Sequence, residues 1–228
     1  MLIREYMTSH PITVTEDTSV TDAAKLMKER GVRRFPVMRN EHLIGIITDR
    51  DLRSAAPSGV VSLDVHEREL MPELHAMLSN TKIQGIMSRD VVTIGPERSV
   101  GTAALLMRDH RISGMPVVDS RGKLLGIITE SDIFKVLVDF CGIHLGKTVL
   151  GLRLEDKPGS IKEVADVIRE HGARLASILT SYDQADPQYR RVYIRIRDLP
   201  LDEKRSLEEI LRKRFELLYV IEDDVGTT

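Results

Sequence analysis

Two short stretches of the sequence place a threonine and an aspartate three positions apart, directly after a run of apolar residues. The first stretch ends with Thr48 and Asp51 (GIITDRD), and the second ends with Thr129 and Asp132 (GIITESD). A carboxylate can hold the hydroxyl groups of a ribose, and the N–H groups at a helix start favour a phosphate or a sugar oxygen. The same spacing is that of a capping box, which only satisfies the first turn of its own helix. The sequence leaves both interpretations open.

The composition limits the classes of protein that this chain can belong to. Its 228 residues include 33 basic and 35 acidic ones, a net charge of −2, and few aromatic residues, which argues against nucleic-acid binding. The single cysteine, Cys141, excludes an intramolecular disulfide and a thiolate zinc site. The histidines show no metal-binding spacing, and the nucleophile and phosphate-loop motifs of enzymes are missing. We therefore expect no catalytic residue, no metal and no required cofactor.

The distribution of apolar residues bears on the location of the protein. The first residues, MLIREYMTSHP, carry charges early and lack the apolar run of a signal peptide. No uncharged apolar stretch reaches the ~18 residues of a membrane span. We expect a cytoplasmic protein without a membrane partner.

The chain contains an internal repeat with an offset of about 80 residues. The repeated positions of the first copy are Met7, Thr13, Ser19, Val20, Ala23, Ala24, Leu26, Met27, Pro36 and Val37. One extra residue in the turn of the second copy lengthens the offset, and the match then resumes through both GIIT stretches. Two copies are too few for a solenoid, so we expect a pair related by an approximate two-fold axis.

Each copy predicts a β-α-β-β-α unit. A short extended piece (PITVT or VVTIG) precedes a helix whose first turn is capped by Ser19 or Ser99. Two strands follow: the first (FPVM or MPVV) has a proline at its start, and the second (LIGII or LLGII) is apolar throughout, which predicts burial on both faces. The last helix begins at Thr48 or Thr129.

The rest of the chain predicts a linker and a second kind of domain. The linker contains a helix that Pro72 would interrupt or kink. The C-terminal part predicts a β-α-β-β-α-β order, with Ser160 and Glu163 as a capping box at its first helix. We expect an α+β protein with α/β-type repeat units and the following parts: motif 1 at 1–56, a linker with a helix at 57–84, motif 2 at 85–140 and a ferredoxin-like domain at 147–224.

The two copies resemble a pair of CBS motifs, a Bateman-type module, through the duplicated GIIT-x-x-D stretches and the FPVM and MPVV strands. The C-terminal part resembles an ACT domain, chiefly through LEDKPGSIKEVADVI and its strand order. This domain order is similar to that of the AcuB-type acetoin-utilisation proteins.

The resemblance implies an adenine-nucleotide site in each cleft of the CBS pair. The threonine would lie near the ribose or phosphate, the aspartate would bind the ribose hydroxyls, and backbone near the strand starts would frame the base. Arginines of copy one, absent at the aligned positions of copy two, would favour an anionic nucleotide in copy one. The implied nucleotide-binding residues are Ile12, Thr13, Arg34, Phe35, Thr48, Arg50, Asp51, Val92, Thr93, Met115, Thr129 and Asp132.

The ACT resemblance implies a small, amino-acid-like effector near Asp156, Gly159, Ser160 and Ile161. The alternative for these residues is a strand-to-helix turn that needs a glycine and a serine cap. Together the resemblances imply a non-catalytic regulatory sensor that binds AMP, ADP, ATP or a related adenosyl ligand. Its partner would be a metabolic protein that the sequence does not identify, and a homodimer is expected. The alternative function is an enzyme or an enzyme accessory subunit in acetoin breakdown.

Overall fold

The structure is a computed structural model that describes residues 1–55 and 72–223, with the side chains of 72–75 not described. The chain divides into two compact units, one over residues 1–133 and the other from 134 onwards. Helix α5 begins in the first unit and continues into the second. The elements up to α5 are β1 (Thr8–Ser9), β2 (Val14–Thr15), α1 (Val20–Arg30), β3 (Arg34–Arg39), β4 (His42–Thr48), α2 (Asp49–Ser54), α3 (Pro72–Asn80), α4 (Val100–His110), β5 (Gly114–Val118), β6 (Leu124–Thr129) and α5 (Glu130–Cys141).

Each repeat forms its own small sheet, in the order that the sequence predicts. In copy one, β2 pairs in parallel with β3, and β3 pairs antiparallel with β4. In copy two, β5 and β6 are antiparallel, but the piece equivalent to β2 is reduced to one parallel bridge between Ile94 and Val117. The extended pieces PITVT and VVTIG are therefore shorter as strands than expected.

The helix starts are capped as predicted. The Ser19 hydroxyl accepts a hydrogen bond from the Asp22 N–H at 3.1 Å, and the Ser99 hydroxyl accepts one from the Thr102 N–H at 3.0 Å. These bonds satisfy N–H groups that have no partner within their own helix. Both serines thus fix the start of the helix that packs on their sheet.

Two details of the strands differ from expectation. Pro36 lies inside β3 and not at its start, and it pairs with Ile46 of β4. Because the N–H and C=O of Ile46 bond to Ser88 on the other side, the missing N–H of Pro36 costs no bond to β4. Burial on both faces holds for Ile127 and Ile128 of β6, whereas Ile46 of β4 is only half-buried.

The start of each copy crosses to the sheet of the other copy. Thr8 of β1 pairs with Ile127 of β6, and Ser88 forms the equivalent bridge to Ile46 of β4. A Cβ at Gly126 would lie 2.6 Å from the Met7 sulfur. The crossing backbone therefore requires a residue without a side chain in the GIIT stretch.

The two hydrophobic cores follow the same exchange. Ile3 has 0% exposure within the core of copy two, and Ile83 has 0% exposure within the core of copy one. The other buried members of the first core are Val14, Val20, Ala23, Met27, Phe35, Val37, Ile47, Leu52, Leu78 and Met87. The two copies are consequently one interlocked unit.

The linker helix is partly within the described residues. Helix α3 is described from Pro72 onwards, and the residues before Pro72 that the predicted interruption or kink involves are not among the described ones. The expectation for Pro72 therefore stays a prediction. The rest of the predicted loop and helix, at 56–71, lies outside the described residues.

The second unit has the predicted β-α-β-β-α-β order. Its elements are β7 (Thr148–Glu155), α6 (Ser160–Glu170), β8 (Leu175–Tyr182), β9 (Tyr189–Ile196), α7 (Leu201–Arg214) and β10 (Glu216–Glu222). The four strands are antiparallel in the order β10-β7-β9-β8. One hydrophobic core joins the two helices to the alternating residues of the central strands. It includes Leu152 of β7, Ile194 of β9, Val164 of α6 and Leu207 of α7.

The start of α6 corrects a sequence prediction. Gly159, with a φ of 94°, is the residue before the helix, and no side chain caps it. The Ser160 hydroxyl instead donates to the Lys157 carbonyl at 3.1 Å, so Ser160 and Glu163 form no capping box. The left-handed φ requires glycine at this turn and leaves the serine cap unused.

An ion-pair cluster closes the hairpin between β8 and β9. The Arg153 guanidinium donates to the buried Asp183 carboxylate at 2.9 Å, and the Ala185 N–H donates to the other oxygen at 2.9 Å. These hydrogen bonds lower the pKa of Asp183, the bond from Ala185 most. The Arg153 guanidinium also stacks on the Tyr189 ring, 3.7 Å from its centre.

Candidate functional site

The first Thr-x-x-Asp corner joins β4 to α2. The Thr48 N–H and hydroxyl donate to Oδ2 of Asp51 at 2.8 and 2.6 Å. The Asp51 N–H donates back to the Thr48 hydroxyl at 3.3 Å, which completes a capping box. The capping interpretation is therefore realised in the structure, and it uses one carboxylate oxygen. Among the described residues, the other oxygen of the half-buried Asp51 accepts no hydrogen bond.

The second corner, between β6 and α5, repeats this geometry. The Thr129 N–H and hydroxyl donate to Oδ2 of Asp132 at 2.9 and 2.7 Å. The corners differ in accessibility, because Asp132 is buried (6% exposed) and Asp51 is half-buried. Of the two corner aspartates, Asp51 is therefore the more accessible to a ligand.

The residues predicted to frame a base fall into two groups. Ile12 and Thr13, which precede β2, are exposed, as is Thr93 at the equivalent place in copy two, whereas Val92 is half-buried. Phe35 and Met115, at 0% and 1% exposure, belong to the hydrophobic cores of copies one and two. Their side chains therefore serve packing, and only their backbone groups are candidates for contact with a base.

The two predicted phosphate-binding arginines of copy one have different surroundings. Arg50 is exposed in the first turn of α2. Arg34 crosses to copy two, where its Nη2 donates to the Ser113 hydroxyl at 2.8 Å. Its Nη1 is buried and has no hydrogen-bond partner among the described residues. The structure therefore does not reserve Arg34 for copy one.

The surroundings of Arg34 contain acidic groups from both corners. Burial lowers the pKa of the Arg34 guanidinium below its ordinary value. The carboxylates of Glu130, Asp49 and Asp132 act in the opposite direction and raise it. Arg34 is thus a cation near the corner of its own copy and also near the corner of the other copy.

Sequence reasoning missed the role of Ser113 as the partner of Arg34. Ser113 and Gly114 occupy the positions of Arg33 and Arg34 in the second copy, where the sequence alone indicates only the loss of two arginines. A Cβ at Gly114 would overlap the Arg34 side chain. The sequence signal for this contact is the pairing of a large residue, Arg34, with glycine at the equivalent position 114, which indicates that one side chain fills a space shared by the two copies.

The predicted effector turn before α6 is well ordered by internal bonds. Asp156 pairs with Arg190, and its N–H donates to the Gln188 carbonyl at 2.8 Å. Ser160 is buried and Ile161 packs against the core of the second unit. Gly159 is exposed, with open space where a Cβ would lie. Asp156 and Gly159 are therefore the exposed members of the predicted effector site.

The described part of the chain contains neither a cluster of metal-ligating side chains nor a membrane-spanning helix. In the described part of the chain, no group of three or more His, Cys, Asp or Glu side chains comes together to hold a metal ion. No helix there combines the length and hydrophobicity that a membrane crossing requires.

The interlocked pair of β-α-β-β-α units with duplicated corners defines a two-copy module of the CBS type. A profile for the CBS domain matches residues 3–58 and 83–139. The chain is 35% identical over 139 residues to a CBS domain-containing protein of Dictyostelium discoideum, and the match covers 60% of this chain and 92% of that protein. The chain therefore belongs to the CBS domain-containing proteins, and the prediction of tandem CBS domains is confirmed.

Two other similar proteins differ in how much of their own length matches this chain. A homoserine O-acetyltransferase of Methanococcoides burtonii is 32% identical over 136 residues, which are 59% of this chain but 24% of that enzyme. A crystal structure of a Vibrio cholerae protein named for acetoin utilization (AcuB) is 27% identical, with a TM-score of 0.51 and coverage of 63% of this chain and 95% of that chain. The similarity to the enzyme thus involves about a quarter of its length.

Proposed function

We propose that this protein is a cytoplasmic, non-catalytic regulator whose CBS pair binds an adenine nucleotide or a related adenosyl ligand. The observation that carries the proposal is the duplicated corner in which Oδ2 of the aspartate closes the turn while, in copy one, the other oxygen of Asp51 accepts no bond from the described residues. A half-buried carboxylate that its own turn holds through one oxygen is suited to accept the hydroxyls of a ribose with the other.

The C-terminal unit we assign to the ACT type, with the domain bounds expected from the sequence. The β10-β7-β9-β8 order and the left-handed Gly159 turn support this assignment. Its role would be to bind a small amino-acid-like effector at the turn of Asp156, Gly159, Ser160 and Ile161. The edge strands β8 and β10 have one unpaired side each within the described chain, which supports pairing with a second copy in a homodimer.

The likeness to the AcuB structure supports acetoin utilisation as the process that the protein regulates. Regulation requires that the ligand favours one arrangement of the protein over another, since tight binding alone shifts nothing. Incubation with acetoin or ATP and product analysis separates this proposal from the enzyme alternative. Turnover that a point substitution abolishes would favour the enzyme.

Isothermal titration of the full chain with AMP tests the proposed site. We expect Asp51→Ala to lose the bonds to the ribose and to bind AMP about tenfold or more weakly, since a hydrogen bond to a charged group contributes ~1.5–3 kcal/mol. Asp22→Ala is the matched control, because Asp22 accepts from the Ser19 hydroxyl at 2.7 Å in a similar capped turn at the start of α1. Equal affinity of Asp51→Ala and the unaltered protein would refute the assignment.

A further inference from the structure

Arg34 occupies a space at the junction of the two copies that accommodates one guanidinium. It begins β3 of copy one, and its Nη2 donates to Ser113 of copy two at 2.8 Å. The equivalent residue of copy two is Gly114, where a Cβ would overlap Arg34 Nη1 and would lie 2.9 Å from the Ile128 carbonyl oxygen. The pair is therefore asymmetric at this point, with an arginine at position 34 and a glycine at the equivalent position 114.

The hydrogen bonding of this guanidinium is incomplete. Nη1 is buried without a partner among the described residues, although a buried donor without an acceptor is unfavourable. The guanidinium lies in the field of Asp49 from corner one and of Glu130 and Asp132 from corner two. A planar guanidinium with a spare N–H group is well suited to a phosphate oxygen.

We propose that Arg34 is a single phosphate-binding group shared by the two clefts, so that the CBS pair binds one anionic nucleotide tightly and a second one weakly. This inference rests on the proposed function and extends it to the stoichiometry. A phosphate that accepts from Nη1 neutralises the charge of Arg34. The second cleft then keeps its ribose-binding aspartate but no longer has the Arg34 guanidinium available for a second phosphate.

Sharing of Arg34 couples AMP binding in the two clefts. Because such coupling is thermodynamically reciprocal, occupancy of either cleft must weaken the AMP affinity of the other by the same factor. The coupling also depends on the charge of the ligand. Adenosine carries the same base and ribose but no phosphate, and it makes no demand on Arg34. The two clefts should therefore bind adenosine with similar affinities and AMP with different ones.

Isothermal titration of the full chain with AMP and with adenosine tests this inference. We expect one tight AMP site and a second site weaker by at least about tenfold, but two similar sites for adenosine. Arg34→Gln should weaken the tight AMP site by at least about tenfold and make the two AMP sites similar. Arg39→Gln is the matched control: Arg39 ends the same strand, pairs with Glu16 and should leave the pattern unchanged.

The shared-cation inference would be overturned by two AMP sites of equal affinity in the unaltered chain, or by an unchanged AMP isotherm in Arg34→Gln. If adenosine still binds in that case, the proposed function stands. Absence of binding by both ligands would overturn the proposed function as well. Thermal unfolding without ligand distinguishes a ligand-binding role of Arg34 from a purely structural one. We expect Arg34→Met, which removes the unsatisfied donor, to melt at or above the temperature of the unaltered protein. A lower melting temperature with an unchanged AMP isotherm would identify Arg34 as a purely structural contact.

Discussion

At the scale of single residues, the two oxygens of Asp51 have separate roles. Oδ2 accepts from the N–H and hydroxyl of Thr48, and the other oxygen is left without a partner among the described residues. A capping box and a ribose-binding corner share the same residue types and spacing, so the sequence could not separate them. The structure shows that the cap exists and that it leaves acceptor capacity unused.

Asp183 allows a prediction of pH dependence. Hydrogen bonds from the Ala185 N–H and the Arg153 guanidinium lower its pKa in the folded state. A lowered pKa means that the ionised carboxylate stabilises the folded state at neutral pH, and that this contribution is lost as pH falls below about 3.9 and through the folded pKa. We expect Asp183→Asn to be less stable than the unaltered protein at neutral pH and to lose less stability on acidification.

Urea unfolding at neutral pH and at a series of acidic values measures this difference. The difference in unfolding free energy between Asp183→Asn and the unaltered protein isolates this carboxylate from the other titrating groups. It should shrink as the pH falls. A difference that stays constant over the whole series would show that ionised Asp183 makes no contribution through its hydrogen bonds.

At the scale of elements, the exchange of starting segments between the copies is the feature that shapes the first unit. Gly126 and Gly45 lie where these segments cross, opposite the sulfur atoms of Met7 and Met87 at 2.6 and 2.7 Å from a Cβ. Repeated glycines in an apolar strand thus mark close approach of a second backbone.

Gly126→Ala should therefore destabilise the CBS pair by about 1–3 kcal/mol, as overpacking does in other cores. The added Cβ would lie 2.9 Å from the Thr8 carbonyl oxygen, a backbone atom that cannot move aside without disturbing β1. Chemical denaturation measures the change. Gly101→Ala on α4 is the control, because its Cβ meets only the Ser99 hydroxyl at 3.6 Å, and it should stabilise the protein by up to about 1 kcal/mol. Equal effects of the two substitutions would contradict the crossing as the cause.

The order of elements was predictable, whereas their long-range exchange was not. Helical spacing, serine caps and apolar runs indicated β-α-β-β-α twice and β-α-β-β-α-β once, because these signals are local. The crossing of β1 to β6 joins residues far apart in the chain, and no local pattern encodes that pairing. Ser160 shows the same limit at short range, since the left-handed turn at Gly159 directs its hydroxyl to Lys157 and not to a helix start.

At the scale of the whole molecule, we propose that the first unit binds a nucleotide and that the second unit has a regulatory role. Similarity to known proteins covers 60% of the chain in the Dictyostelium relative, and the CBS profile ends at residue 139. Helix α5 begins at the corner of Asp132 and contains the boundary between the two units. Regulation would require the bound and free states of the corner to favour different positions of this helix.

The central claim is that the corner aspartates hold the hydroxyls of a ribose. Titration with AMP and with its 2′,3′-dideoxy analogue tests it most directly, in the unaltered chain and in a variant with both Asp51→Ala and Asp132→Ala. The account predicts that the unaltered protein binds the dideoxy analogue about tenfold or more weakly than AMP, and that the double variant binds the two ligands equally. Equal affinity of the unaltered protein for AMP and the dideoxy analogue would contradict it.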